Sequence, residues 1–110
     1  MQKHSLEALA RELLGKASDS AAGRTAQTVM GGHEKVLRQT VIAMVRDAEL
    51  TEHANPGEAS VYVLRGRVAL SSGGSIWEGR DGDLLIVPDA PHGLRALQDS
   101  VVLLTVAKLS

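Results

Sequence analysis

After Gly32 the chain breaks into short runs rich in Val, Ile, Leu and Thr, and a cluster of turn residues separates each run from the next. The Gly, Pro, Asn and Asp residues of these clusters supply the positive or fixed φ angles that tight turns need. Short strands at a spacing of about ten residues are typical of an all-β sandwich or barrel. The predicted strands are Val36–Val45, Ser60–Leu64, Arg67–Ser71, Ser75–Glu78, Leu84–Val87, Gly93–Leu97 and Val101–Ala107.

A helix is predicted ahead of the strands, over Leu6–Ala17, because apolar residues recur there at the spacings of one helix face. Ser5 is placed to cap its first turn. The stretch Ser18–Gly32 is rich in Ala, Ser, Thr and Gly, which predicts an extended connector with a short edge strand at Thr25–Met30. The expected organisation is a single domain, with the helix and connector in residues 1–32 and a β-barrel in residues 33–110.

The composition excludes several kinds of site and partner. The sequence has no Cys, so disulfides, thiolate ligands and thiol nucleophiles are ruled out, and a metal would need nitrogen and oxygen ligands. A formal net charge of −1, with Lys and Arg scattered along the chain, gives no basis for nucleic-acid binding. No apolar run is long enough to span a bilayer or to form a signal peptide, so a cytoplasmic protein without membrane contact is expected.

Two stretches of the sequence resemble the two conserved motifs of the cupin superfamily. The first, His53 to Gly66, contains a Pro-Gly turn, an acidic residue and an apolar strand, and the second, Gly82 to His92, contains a Gly-Asp turn, an apolar strand and a Pro-His pair. The resemblance implies a double-stranded β-helix, the jelly-roll barrel of this family, behind the N-terminal helix. In that family the two motifs present His, His, Glu and His to a divalent metal, so the resemblance also implies a metal site.

Carried over residue by residue, the metal ligands implied by the resemblance are His53, Glu58 and His92. Thr51 stands where the family has its first histidine. The chain has one residue more between Glu58 and Gly66 than the family pattern, so counting back from Gly66 puts the ligand position on Ala59. Nitrogen and oxygen donors of this kind suit iron, manganese, nickel or zinc.

Strand alternation predicts which side chains face the barrel interior. His92, Leu94 and Ala96 share one face and Arg95 lies on the other, which favours an interior position for His92. Glu58 reaches the interior only if a β-bulge at the preceding turn redirects it. A single Trp in a hairpin strand is expected to cover the edge of the core, and Trp77 is interpreted in this way.

Three functions remain open at this stage. The first is a small cupin of unassigned reaction that binds a small molecule through a divalent metal held by the depleted His and Glu set. The second is a metal-free cupin that binds or senses a small molecule in its cavity, and no organic cofactor is implied by either. The third is a structural homodimer that exchanges N-terminal segments, because the apolar stripe of the Leu6–Ala17 helix needs a surface to cover.

Overall fold

A computed structural model describes residues 1–53 and 57–108, with the backbone alone for residues 52 and 53. These residues form a helix, α1 (Leu6–Ser18), followed by nine strands. The strands are β1 (Arg24–Met30), β2 (Leu37–Met44), β3 (Glu49–His53), β4 (Gly57–Arg65), β5 (Arg67–Ser72), β6 (Ser75–Arg80), β7 (Leu84–Ile86), β8 (His92–Ala96) and β9 (Ser100–Lys108).

The strands form two antiparallel sheets that pack face to face. The five-stranded sheet has the order β1-β2-β9-β4-β7, and the four-stranded sheet has the order β3-β8-β5-β6. Most neighbouring strands are not consecutive in sequence, because the chain crosses repeatedly from one sheet to the other, and only β1-β2 and β5-β6 join consecutive strands. This architecture confirms the all-β fold with one N-terminal helix that the sequence predicts.

The main core lies between the two sheets and is aliphatic. Met44, Val63 and Val102 of the five-stranded sheet are fully buried against Val68 and Ala96 of the four-stranded sheet. Each Val or Met side chain removed from water in this way contributes about 1.5–3 kcal/mol to the free energy of folding. The alternation of small branched residues along these strands therefore decides which face of each sheet turns inward.

A second core lies on the outer face of the five-stranded sheet, under α1. The helix begins as predicted, with the Ala8 amide donating to Oγ of Ser5 at 3.2 Å. Its buried residues form one stripe that packs on Val41, Ala43 and Val101 of the sheet. The stripe consists of Leu9, Ala10, Leu13 and Ala17. The apolar face of the helix is thus covered within the chain, and an exchange of N-terminal segments is not required to bury it.

Strand β3 was not among the strands predicted from apolar patterning. Its residues Glu49–His53 are polar apart from Leu50, and they form a strand because β8 supplies a partner with which to pair. By contrast, β1 confirms the short edge strand predicted at Thr25–Met30, and it pairs with β2. Within residues 1–53 and 57–108, no helix is long and apolar enough to cross a membrane.

Candidate ligand-binding site

Glu58 lies on the outer face of the five-stranded sheet. On β4, the side chains of Ala59 and Val63 pack in the core between the sheets, whereas Glu58 is exposed and pairs in register with Ala107 of β9. Because side chains alternate between the faces of a strand, Glu58 and Ala59 point to opposite sides. The interior position on β4 is Ala59, as counting back from Gly66 indicates.

His92 lies at the start of β8, and its side chain is only 5% exposed. It shares the inner face of the strand with Leu94 and Ala96, which pack in the main core. Nδ1 of the ring lies 3.1 Å from the carbonyl oxygen of Ala90, and a carbonyl only accepts, so Nδ1 carries the hydrogen. In the neutral ring, Nε2 is then the nitrogen with the lone pair.

His53 is the last residue of β3, and the register of β3 with β8 makes it the Cα partner of His92. The His53 side chain and the predicted turn at Asn55-Pro56 lie outside the described residues. Glu58 faces away from the interior into which His92 points. Among the side chains that the structure describes, no group of three His, Asp or Glu residues is placed to hold a metal ion. A site that uses Glu58 together with His92 does not fit this arrangement.

A cavity of about 540 Å³ opens between β6 and β7, which are the terminal strands of the two sheets. Leu70 and Leu85, both core residues, line its inner part, and Pro88 lines its side. The rim includes Ile86, whose side chain is 71% exposed. Clefts of about 300–1,000 Å³ with mostly apolar walls are the usual form of small-molecule sites.

Trp77 of β6 lines this cavity and is 69% exposed, so the prediction that it covers the edge of the core is wrong. It pairs in register with Leu70, and Gly79 follows two positions later on the same face. A Cβ at Gly79 would lie 3.1 Å from Cδ1 of Leu85, so the missing side chain lets β6 come close to β7. The edge of the core is therefore closed by Leu85, and the indole lies beyond it at the opening.

Two hydroxyl groups lie at one end of the cavity. Ser72 and Ser75 are Cα partners where β5 and β6 meet at the hairpin, and both line the cavity. The Ser72 hydroxyl donates to the carbonyl oxygen of Pro91 at 2.8 Å, which ties this end of the cavity to the residue before His92. Of the described residues that line the cavity, none is charged. The cavity thus combines apolar walls, one aromatic ring and a small polar end.

The sequence reasoning missed this cavity. The residues that line it come from the β5–β6 hairpin and from the segment that contains β7, and they read in the sequence as ordinary strand residues. The one local signal is a lone Trp between a Gly-Gly turn and a strand glycine, which marks an edge strand with an exposed ring. That β6 and β7 end their sheets side by side follows only from the strand order.

Solved structures with the same fold cover most of the chain. A protein from Thermus thermophilus, TT1209, has a TM-score of 0.78 and 21% identity, and the match covers 98% of each chain. An RmlC-like cupin from Desulfovibrio desulfuricans has a TM-score of 0.67 and 26% identity over 76% of this chain and 81% of its own. An RmlC-like cupin from Shewanella frigidimarina has a TM-score of 0.70 and 24% identity over 81% and 79%.

No family model matches the chain, and no curated protein matches it. The similarity to known proteins is therefore one of structure. The similar solved structures include a cupin-superfamily protein and a protein described as a cupin 2 conserved barrel domain. The chain has the cupin fold, and the family resemblance of its two motifs is confirmed at that level.

Proposed function

We propose that this cupin-fold protein binds a small molecule in the cavity between β6 and β7, and that binding does not require a metal ion. The observation that carries the proposal is the exposed Trp77 ring beside a cavity whose inner part reaches the core at Leu70 and Leu85. A large aromatic side chain left in water at the mouth of an apolar cavity gains free energy when a ligand covers it. Ligand binding would therefore bury surface that the folded chain leaves exposed.

A thermal-shift screen of small organic molecules in the presence of a chelator tests this proposal. A ligand at 100 times its Kd should stabilise the folded protein by about 2.7 kcal/mol and raise its melting temperature. Ser75→Phe places a ring at the mouth of the cavity, and Ser71→Phe places the same ring on the opposite face of the neighbouring strand β5.

We expect some ligands to stabilise both the wild type and Ser71→Phe in the presence of chelator. The same ligands should not stabilise Ser75→Phe. The proposal is wrong if no compound stabilises the wild type, or if Ser75→Phe responds as the wild type does.

A divalent metal held by His53 and His92 is the second candidate. One observation favours it, namely the pairing of the two residues as Cα partners across β3 and β8, with His92 on the inner face. Two imidazole nitrogens are ligands that suit iron, manganese, nickel or zinc, and a bound ion would offer open positions to a ligand. Glu58 is not part of this second candidate, because its carboxylate lies on the outer face.

Metal analysis of protein purified without a tag decides between the two candidates. A metal content near one ion per chain that falls in both His53→Ala and His92→Ala supports the second candidate. A content near zero in the wild type removes it. The chelator arm of the thermal-shift screen then reports on the first candidate independently, because metal-free binding persists there.

A further inference from the structure

The hydrogen bond that Ser72 makes within the protein determines whether its hydroxyl can donate to a ligand or accept from it. Its single hydrogen is donated to the carbonyl oxygen of Pro91 at 2.8 Å. A hydroxyl has one hydrogen and two lone pairs, so the Oγ that lines the cavity remains an acceptor. A ligand group that only accepts would find no hydrogen at Ser72 without breaking this bond. At Ser72 the cavity therefore favours a ligand group that donates, whereas the hydroxyl of Ser75 beside it can donate or accept.

The remaining walls disfavour a charged ligand. The side chains of Leu70, Leu85 and Pro88 are apolar, and of the described lining residues none is an acid or a base. The nearest charged residue of β6, Glu78, is paired with Arg67 on the other face of the strand. Moving an unpaired ion out of water costs several kcal/mol, and a cavity without a charged partner does not offset that cost.

Trp77 adds a preference for a ring. The indole lines the cavity and is 69% exposed, so a large part of it is available for contact. Aromatic pairs in offset or edge-to-face contact are stabilised beyond the area that they bury. A flat aromatic ligand that lies against Trp77 and Leu70 would gain both the buried area and this additional contact.

Building on the proposed function, we infer that the cavity takes an uncharged aromatic alcohol or phenol whose hydroxyl donates to Oγ of Ser72. The ring of the ligand contacts Trp77, and its apolar part lies against Leu70 and Leu85. The proposal thus names a ligand class for the same cavity, selected by the direction of one hydrogen bond and by the absence of charge among the described lining residues.

Three ligands of one size test the inference: 4-propylphenol donates, 4-propylanisole has the same ring without a donor, and 4-propylbenzoate carries a charge at neutral pH. Trp77 is the single Trp of the chain, so its fluorescence reports directly on the cavity. We expect the phenol to bind about tenfold more tightly than the ether, which is the worth of one hydrogen bond. The benzoate should bind more weakly than the ether, because its charge would be left unpaired in the cavity.

Variants at Ser72 separate recognition from a structural effect. Ser72→Ala should weaken the phenol about tenfold and leave the ether unchanged, and Ser72→Thr, which keeps the hydroxyl, should restore phenol binding. Ser71→Ala, on the opposite face, is the matched control and should change neither affinity. A Ser72→Ala variant that loses phenol and ether equally would point to a distorted cavity and overturn the inference.

The failures of the two proposals are distinct. If phenol, ether and benzoate bind alike, or if the benzoate binds best, the ligand class is wrong while small-molecule binding in the cavity stands. If none of the three changes the fluorescence of Trp77 and the wider screen in chelator is also empty, the proposed function fails together with the inference.

Discussion

Gly66 and Ser100 are packed so closely that a Cβ at position 66 would lie 2.7 Å from the Cα of Ser100. The backbone of Gly66 has a φ of +100°, which side chains of L-residues rarely allow. Oγ of the fully buried Ser100 accepts a hydrogen bond from the Arg67 amide at 3.0 Å, so the turn between β4 and β5 is joined to the start of β9. The glycine of the first motif is thus required by a close approach of two chain segments.

Gly66→Ala should destabilise the protein by at least about 2 kcal/mol, because the methyl group meets backbone atoms and the φ is strained. Gly73→Ala is the matched control, since Gly73 also has a positive φ, +55°, but has open space around it. It should cost about 1 kcal/mol. Urea unfolding measures both, and equal losses in the two variants would contradict the role given to the Gly66–Ser100 contact.

Asp81 holds the same turn from the other side. Its Oδ1 accepts a hydrogen bond from the amide of the buried Gly66 at 2.7 Å. Asp81→Ala should cost about 1–3 kcal/mol, because the buried amide loses its partner. Asp81→Asn keeps a carbonyl oxygen at the same place and should lose less than Asp81→Ala. Urea unfolding checks the order of the three proteins, and a loss in Asp81→Asn as large as in Asp81→Ala would argue against this role of the carboxylate oxygen.

Met44 is fully buried in the main core, whereas Met30 is 45% exposed at the end of β1. Met44→Ala should therefore lower the free energy of unfolding by about 2–5 kcal/mol, through lost burial and the cavity left behind. Met30→Ala should change it by less than about 0.5 kcal/mol, as is usual for surface positions. Thermal or urea unfolding of the two variants checks this. Similar losses of stability in both would contradict the assignment of Met44 to the main core.

We propose that the chain forms a homodimer through the outer face of β6, on which Ile76 lies, and not through exchanged helices. Strand β6 ends its sheet, and Ile76 on its outer face is 69% exposed. Light scattering should give twice the mass of one chain for the wild type, and Ile76→Lys should give the mass of one chain. Val36→Lys, at another exposed apolar residue, should remain dimeric. A wild type with the mass of a single chain would remove the proposal.

Much of the fold could be predicted because its signals are local. The helix over residues 6–18 follows from apolar spacing and the Ser5 cap, and turn residues separate the strands as expected. Strand alternation also placed His92, Leu94 and Ala96 on one face. The strand at Glu49–His53 escaped prediction because its residues are polar, and only its pairing with β8 makes it a strand.

The candidate site depended on signals that are not local. A motif suggests Glu58 as a ligand, but the register of β4 with β9 turns it outward and turns Ala59 inward, since a shift of one residue exchanges the two faces. Trp77 became the wall of a cavity because β6 and β7 end their sheets side by side.

The sequence by itself determined the elements, their turns and the aliphatic character of the core, because hydrophobic period and turn chemistry act between near neighbours. Only the tertiary structure decided which faces meet, where the barrel stays open and that the Ser72 hydroxyl is bound to Pro91. These features depend on pairing between segments far apart in the chain, and no local pattern sets that register.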